Sequence, residues 1–296
     1  MNRYNHKNKE NKTILLFGSS GRLGKAIYKY LNNNKTNIQL FTTSRNDQKS
    51  NFYFEVGDIQ KLKKIIKETN PDTIINCIGY TDVDKCELKK DIAYKINSIF
   101  PEDIIKTIKT LDISPKVVHI STDQIYKSNN WSEIGQEMPL NIYSKSKLLG
   151  DQNIFKYKKS IILRTNFLWN NDKDGPVSWL KNKCSNNEEF ILFNDIFYNP
   201  VEINFLSSLI YKIIFRENYG IYNIGSSTFL SKADVFYKIA MYLNLDLSKA
   251  KFDSINSTNL NAERPKNMTI SVNKFEKVFN IKMPSMEKTL SLLLKE

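Results

Sequence analysis

The sequence predicts an α/β protein, a doubly wound parallel sheet joined to a smaller mixed α/β C-terminal domain. Two observations carry this. Short apolar runs alternate with longer helical patterns between residues 13 and 165, as βαβ units require, and beyond 165 the alternation loosens. The runs are TILLF (13–17), IQLF (38–41), TIINCI (73–78), KVVHI (116–120) and SIILR (160–164), with a short extra strand before VGDIQ. Helical patterns lie between them at 22–33, 60–69, 85–109 and 142–158. Pro101 falls inside the third and predicts a kink or restart, because it has no N–H and crowds the preceding turn. Further helices are expected near 203–215, 231–243 and 284–294. The predicted division is a sheet domain over 12–165 with a return around 200–224, a second domain from 166–199 and 225–296, and a mobile tail at 1–11.

Composition excludes several classes. A chain of 296 residues supports about two domains. Its 41% apolar and 25% charged residues, with mean hydropathy −0.44, are those of an ordinary globular protein rather than a collagen, coiled coil or disordered chain. No apolar run approaches the roughly 20 residues of a membrane span. The opening MNRYNHKNKENK is polar and basic, without a secretory leader's apolar core, which predicts a cytoplasmic protein. Cys77, Cys86 and Cys184 are too few and scattered for a disulfide framework and are expected to be free. Forty-four basic against 31 acidic side chains leave +13. Only six of the basic residues are Arg, and the lysines spread along the chain, so the excess reads as solvated surface and no nucleic-acid partner is expected. No His/Cys cluster has metal-ligand spacing, and His119 in VVHIS reads as a packed core residue. Trp169 and Trp179 are expected to pack in an aromatic core.

The first apolar run leads straight into GSSGRLG (18–24) and a helix. In such a turn Gly18 permits a conformation other residues resist, Gly21 lets the backbone approach a pyrophosphate, and Gly24 lets helix and strand pack closely; Arg22 and Leu23 open the helix whose free N–H groups face the anion. A dinucleotide is the expected ligand. The second run ends FTTSRND, with Ser44 and Arg45 where a dinucleotide site meets the adenosine ribose and no acid before Asp47. A guanidinium there favours a 2′-phosphate, so NADPH is expected over NADH. Asp58, with Ile59 beside it, stands where it could reach the adenine amine, and serves equally well as the N-cap of the next helix.

A second constellation lies at the carboxyl end of KVVHISTDQIY, where open parallel sheets bind ligands. Ser121, Thr122 and Asp123 sit there, and one loop later Tyr143 and Lys147 fall four apart on one helical face. An ammonium beside a phenol lowers its pKa from about 10 toward neutrality, so this pair predicts a tyrosine that protonates a carbonyl oxygen as hydride reaches its carbon.

Together with DTIINCIGYTDVDKCE (72–87), KINSIFPEDI (95–104), PLNIYSKSKLLGD (139–151), ILRTNFLW (162–169) and ERPKNMTISVNKF (263–275), these motifs make the chain resemble the extended short-chain dehydrogenases/reductases, and within them the dTDP-4-dehydrorhamnose reductase family, over nearly its whole length. The resemblance implies a Rossmann-like fold and NADPH-dependent reduction of a 4-keto group on a nucleotide-linked 6-deoxyhexose. It makes Tyr143 the general acid, Lys147 its partner and a ribose ligand, Thr122 the hydroxyl orienting the substrate carbonyl, and Asn97 the support of a proton-relay water. Cys77, Ile78 and Gly79 would pass the cofactor, Tyr80 and Thr81 would line the substrate cleft, Asp123 would face the sugar, and Arg264 would grip the nucleotide diphosphate. A homodimer is compatible with it. Two positions depart from the family pattern: Gln124 replaces a tyrosine and Phe167 a tryptophan, both on the substrate side. A sibling reductase acting on another keto sugar, and a non-catalytic NADP-binding subunit, are the alternative readings.

Overall fold

The computed structural model describes residues 12–34, 37–168 and 175–295; the expected tail, Trp169 and most of the loop before Pro176 lie outside them. Strands β1 (Lys12–Phe17), β2 (Ile38–Ser44), β3 (Phe52–Tyr53), β4 (Thr73–Asn76), β5 (Lys116–Thr122) and β6 (Ser160–Thr165) alternate with helices α1 (Arg22–Asn33), α2 (Ile59–Thr69), α3 (Val83–Leu88), α4 (Lys90–Tyr94), α5 (Phe100–Thr110) and α6 (Ile142–Phe155). After them come β7 (Phe167–Leu168), α7 (Pro176–Ser185), β8 (Phe190–Phe193), β9 (Phe197–Tyr198), β10 (Val201–Glu202), α8 (Ile203–Ile214), β11 (Gly220–Ile224), β12 (Leu230–Ser231), α9 (Lys232–Leu243), β13 (Ala250–Asp253), α10 (Asn273–Phe279) and α11 (Met286–Leu294).

Seven parallel strands form one sheet in the order β11-β6-β5-β4-β1-β2-β3. The order reverses between β1 and β4, and there the loops at the strand carboxyl ends part to leave a crevice. Strands β4 and β6 are buried at every residue, as expected where helices cover both faces. On one face Leu23, Ile27 and Leu31 of α1 pack with Leu206, Ile210 and Ile213 of α8. On the other, Leu62 and Ile66 of α2 meet Ile104 and Ile108 of α5 beneath Phe17, Phe54 and Phe100. A separate apolar cluster gathers Leu180, Leu192, Val235, Ile239, Leu290 and Leu293, and Trp179 packs edge-on to Phe190 within it. The small strands pair as β7 with β10, β9 with β12 and β8 with β13.

The region expected as one helix over 85–109 is α3, α4, a single wide π turn at Lys95–Ile99, and α5. The helix restarts at Phe100 with Pro101 in its first turn, as the proline predicts. In a regular helix residue 101 would donate to the Asn97 carbonyl, and a proline has no N–H to give. The widened turn carries that carbonyl outward to α6, where a Cβ on Gly150 would lie 2.1 Å from it. A glycine at 150 is therefore what lets α6 seat against the turn.

Candidate active site

The crevice at the switch point consists of two adjoining cavities of about 470 and 380 Å³ that share Gly21, Cys77, Ile78 and Gly79. Gly18 has φ +82°, and a Cβ on Gly24 would lie 2.0 Å from the Gly18 carbonyl oxygen, so the turn accepts only glycine at these two places. Gly21 caps α1 without a side-chain hydrogen bond, and the first helical turn carries no acid. With Arg22, Leu23 and Gly24 lining the larger cavity, the positive end of α1 is open to an anion there. Cys77 follows β4 on a bond from its N–H to the Phe17 carbonyl (3.0 Å), and Ile78 donates to Asn76 Oδ1 (3.0 Å), which holds this strand end against the glycine turn.

Ser44 and Arg45 border the smaller cavity. The Ser44 hydroxyl bonds Ser20 Oγ at 2.8 Å and accepts from the N–H groups of Asn46 and Asp47, fixing the turn that presents Arg45. Arg45 is exposed and makes no ion pair among the described residues. Asp58 and Ile59 do not line the cavity: Asp58 caps α2, its Oδ1 accepting from the Lys61 N–H at 2.9 Å, and Ile59 points to solvent. The cap uses one carboxylate oxygen, since the first turn of α2 needs an acceptor. Glu55, Val56 and Lys95, none of them singled out in the sequence, take their place on the wall.

The larger cavity brings together Thr122, Asp123 and Gln124 after β5, Tyr143 and Lys147 on α6, Thr81 after β4, and Phe167 on β7. Helix α6 starts at a capping box, with Ser144 N–H on Asn141 Oδ1 at 2.9 Å, and Asn141 in turn donates to the Glu263 carbonyl at 2.8 Å. Tyr143 therefore enters the cavity from a firmly seated first turn. Thr122 bonds Asp123 Oδ1 (3.1 Å) and Asn166 donates to Asp123 Oδ2 (3.0 Å). Burial pushes the Asp123 carboxyl up to about 6, against these two bonds. Asn166 escaped the sequence reading, although its place just past the carboxyl end of β6 is where ligand-facing residues of such a sheet occur.

The Lys147 ammonium donates to the Ile120 carbonyl at 2.7 Å. Burial lowers it to about 8, opposed by the Asp151 carboxylate. The expected lowering of the Tyr143 phenol does not occur: burial raises it, a hydrogen bond with Thr122 opposes, and the charge of Asp123 reinforces the rise. Burial is the dominant cause and the Asp123, Cys86 and Asp151 charges add to it, so Tyr143 stays protonated at neutral pH.

Two further assignments change. Asn97 does not line the cavities; its Oδ1 accepts from Tyr80 N–H (2.8 Å), and its Nδ2 donates to the Tyr80 carbonyl and Ser146 Oγ (3.0 Å each). Both amide hydrogens are used, so this side chain clasps the loop after β4 to α6, and any water it supports would have to donate to it. Tyr80 lines the smaller cavity and packs in the apolar group around Tyr143. Arg264 is turned from both cavities toward Asp84 Oδ2 (2.6 Å) and the Ala262 carbonyl (2.9 Å), because the acid in TDVDKCE captures the guanidinium. His119 is fully buried, as expected. No group of three His, Cys, Asp or Glu suited to a metal ion occurs among the described residues.

Over 96% of this chain and 97% of its own length, the dTDP-4-dehydrorhamnose reductase of Escherichia coli K12 is 26% identical. A solved dTDP-4-dehydrorhamnose reductase from Bacillus anthracis, in complex with NADP, superposes with a TM-score of 0.86 at 26% identity, covering 96% of this chain and 99% of that one. A UDP-glucose 4-epimerase from Thermus thermophilus (TM-score 0.79, 14% identity, 96% and 98% covered) shares the fold alone. The sequence profile described as RmlD substrate binding domain runs from residue 12 to residue 296, through the glycine turn, the Tyr143 helix and the C-terminal elements alike, and to that family this chain belongs.

Proposed function

We propose that this protein reduces the 4-keto group of a nucleotide-linked 6-deoxyhexose with NADPH, with dTDP-4-dehydrorhamnose, reduced to dTDP-L-rhamnose, as the first substrate to test. One observation carries the reading: Thr122, Tyr143 and Lys147 line the same cavity as the uncapped, acid-free start of α1. The glycine cradle fits a dinucleotide because backbone fills the place any Cβ would take. Gly21, Arg22 and Leu23 would hold its pyrophosphate, Arg45 a 2′-phosphate, and Lys147 a ribose hydroxyl. When bound, NADPH supplies hydride to the keto carbon.

The remaining work falls to the chain's own groups. Tyr143, held neutral by burial, donates its proton to the ketone oxygen, and Thr122, turning its hydroxyl proton from Asp123 Oδ1, donates a hydrogen bond to the same oxygen as charge develops on it. Asp123, fixed by Asn166, orients sugar hydroxyls. Gln124 and Phe167 face the same space and set which sugar fits, which keeps a sibling keto sugar as the second reading. Tyr143→Phe should bind NADPH normally, by fluorescence titration, while kcat falls by roughly 10²–10⁴. Full turnover in that variant excludes the assignment, and a panel of 4-keto sugar nucleotides followed by NADPH absorbance separates the two sugars.

A further inference from the structure

We propose that Asp151 is the positioning residue that keeps Lys147 charged, as the near end of a chain of charges running through the buried Arg164 to the half-buried Glu137. The inference rests on Lys147 acting as the partner of Tyr143. Helix α6 sets Tyr143, Lys147 and Asp151 at successive steps of four, on one face, and Lys147 and Asp151 are 3% and 1% exposed. Asp151 Oδ2 accepts from Arg164 Nε on β6 at 3.0 Å. The other arm of that guanidinium is committed to Tyr126 Oη (2.8 Å) and Glu137 Oε1, and Tyr126 donates onward to Asn223 Oδ1 (2.8 Å). Arg164 thus reaches Asp151 by one bond, and the Ser121 hydroxyl beside it also favours the charged carboxylate.

His119 adds no bond to Asp151. Asn76 Oδ1 accepts from Ile78 N–H, so the amide presents Nδ2 to His119 Nδ1 at 3.1 Å, which makes Nδ1 the acceptor and puts the ring proton on Nε2. Nε2 stands 3.8 Å from Asp151 Oδ1, beyond a hydrogen bond, and burial, then the Lys147 charge, keeps the ring neutral. Of the other groups packed about Lys147, the Tyr143 phenol and the Cys77 thiol beyond β4 are held protonated by burial, and Arg164 stands behind Asp151 on β6. Burial raises the Asp151 carboxyl, and the Arg164 and Lys147 charges oppose it; with Asp151 ionised, two carboxylates, Glu137 only half-buried, against one guanidinium leave the cluster one negative charge in excess. An unbalanced buried charge is costly, and a protonated Lys147 cancels it.

The experiment is the pH dependence of kcat/KM for wild type, Asp151→Asn, Asp151→Glu and Glu137→Gln with NADPH and dTDP-4-dehydrorhamnose, beside thermal melts and the pH dependence of NADPH affinity. In Asp151→Asn the alkaline limb should move to lower pH by roughly one unit or more, since removing a charge one helical turn away is an effect of that size. Asp151→Glu should bring the limb back. Glu137→Gln should shift it the same way but less, because Arg164 then draws more fully on Asp151. A folded Asp151→Asn with an unmoved limb, or an Asp151→Glu that fails to restore it, overturns the proposal. If Asp151→Asn does not fold, Glu137→Gln, whose side chain reaches the surface, decides in the same way. A wild type that turns over no keto sugar nucleotide refutes the functional reading instead, and the loss of NADPH affinity with rising pH, earlier in Asp151→Asn, then reads the Lys147 charge on its own.

Discussion

The two ends of the crevice are built differently. At the nucleotide end the wall is largely backbone: a glycine turn whose Gly18 and Gly24 leave no room for a side chain, the open start of α1, and a strand end pinned by Asn76. At the substrate end the wall is side chains from β5, α6, β6 and β7, and some are aimed by partners far away in the chain, as Asn166 aims Asp123 across 43 residues. The backbone-built part tolerates almost no change, and distinctions among related dinucleotides fall to the few side chains at its rim, Arg45 first. A site of side chains can be retuned one residue at a time.

Substitutions at the two ends sharpen or break that contrast. The largest effect is expected for Gly24→Ala, whose methyl would meet the Gly18 carbonyl at 2.0 Å. It should lower stability by about 3 kcal/mol, at the upper end for overpacking, and abolish NADPH binding, measured by denaturant unfolding and fluorescence titration. An alanine variant that binds NADPH normally would show the turn to be less confined than its geometry requires. Next, Arg45→Ala should raise the KM for NADPH roughly tenfold or more and leave that for NADH unchanged, the size of one charge-assisted hydrogen bond. The smallest effect is expected for Phe167→Trp, a few-fold change in sugar-nucleotide KM with the NADPH KM constant, since reshaping an apolar wall is worth roughly 1–3 kcal/mol at most. A large change in cofactor affinity there would erase the distinction between the two ends.

The same contrast explains what was legible in the sequence. The strands of the sheet and the glycine turn follow from local spacing, and β1, β2 and β4–β6 lie where the apolar runs predict. The Thr122, Tyr143 and Lys147 convergence follows from the rule that ligands gather at strand carboxyl ends. What local spacing does not encode is competition for partners. The resemblance gives Arg264 to a diphosphate, yet Asp84, 180 residues earlier, holds it. Lys147 has the right spacing to flank Tyr143, but spacing does not tell that the Ile120 carbonyl takes one of its three donors. Asn97 sits at the family position, yet spends its amide on Tyr80 and Ser146. Two-residue strands such as β9 and β12 are too short to leave a period, and the break between α3 and α5 hides in a pattern that reads as continuous helix.

The wide turn ahead of α5 ties together two positions that never look related in the chain. Pro101 strips the Asn97 carbonyl of its helical donor, and Gly150 gives that carbonyl somewhere to go. A bulkier residue at 150 would lift α6, and with it Tyr143, away from the strand ends. In descent these two sites should drift together: a lineage that regained a backbone donor at 101 could admit a larger residue at 150, and one that kept the proline could not.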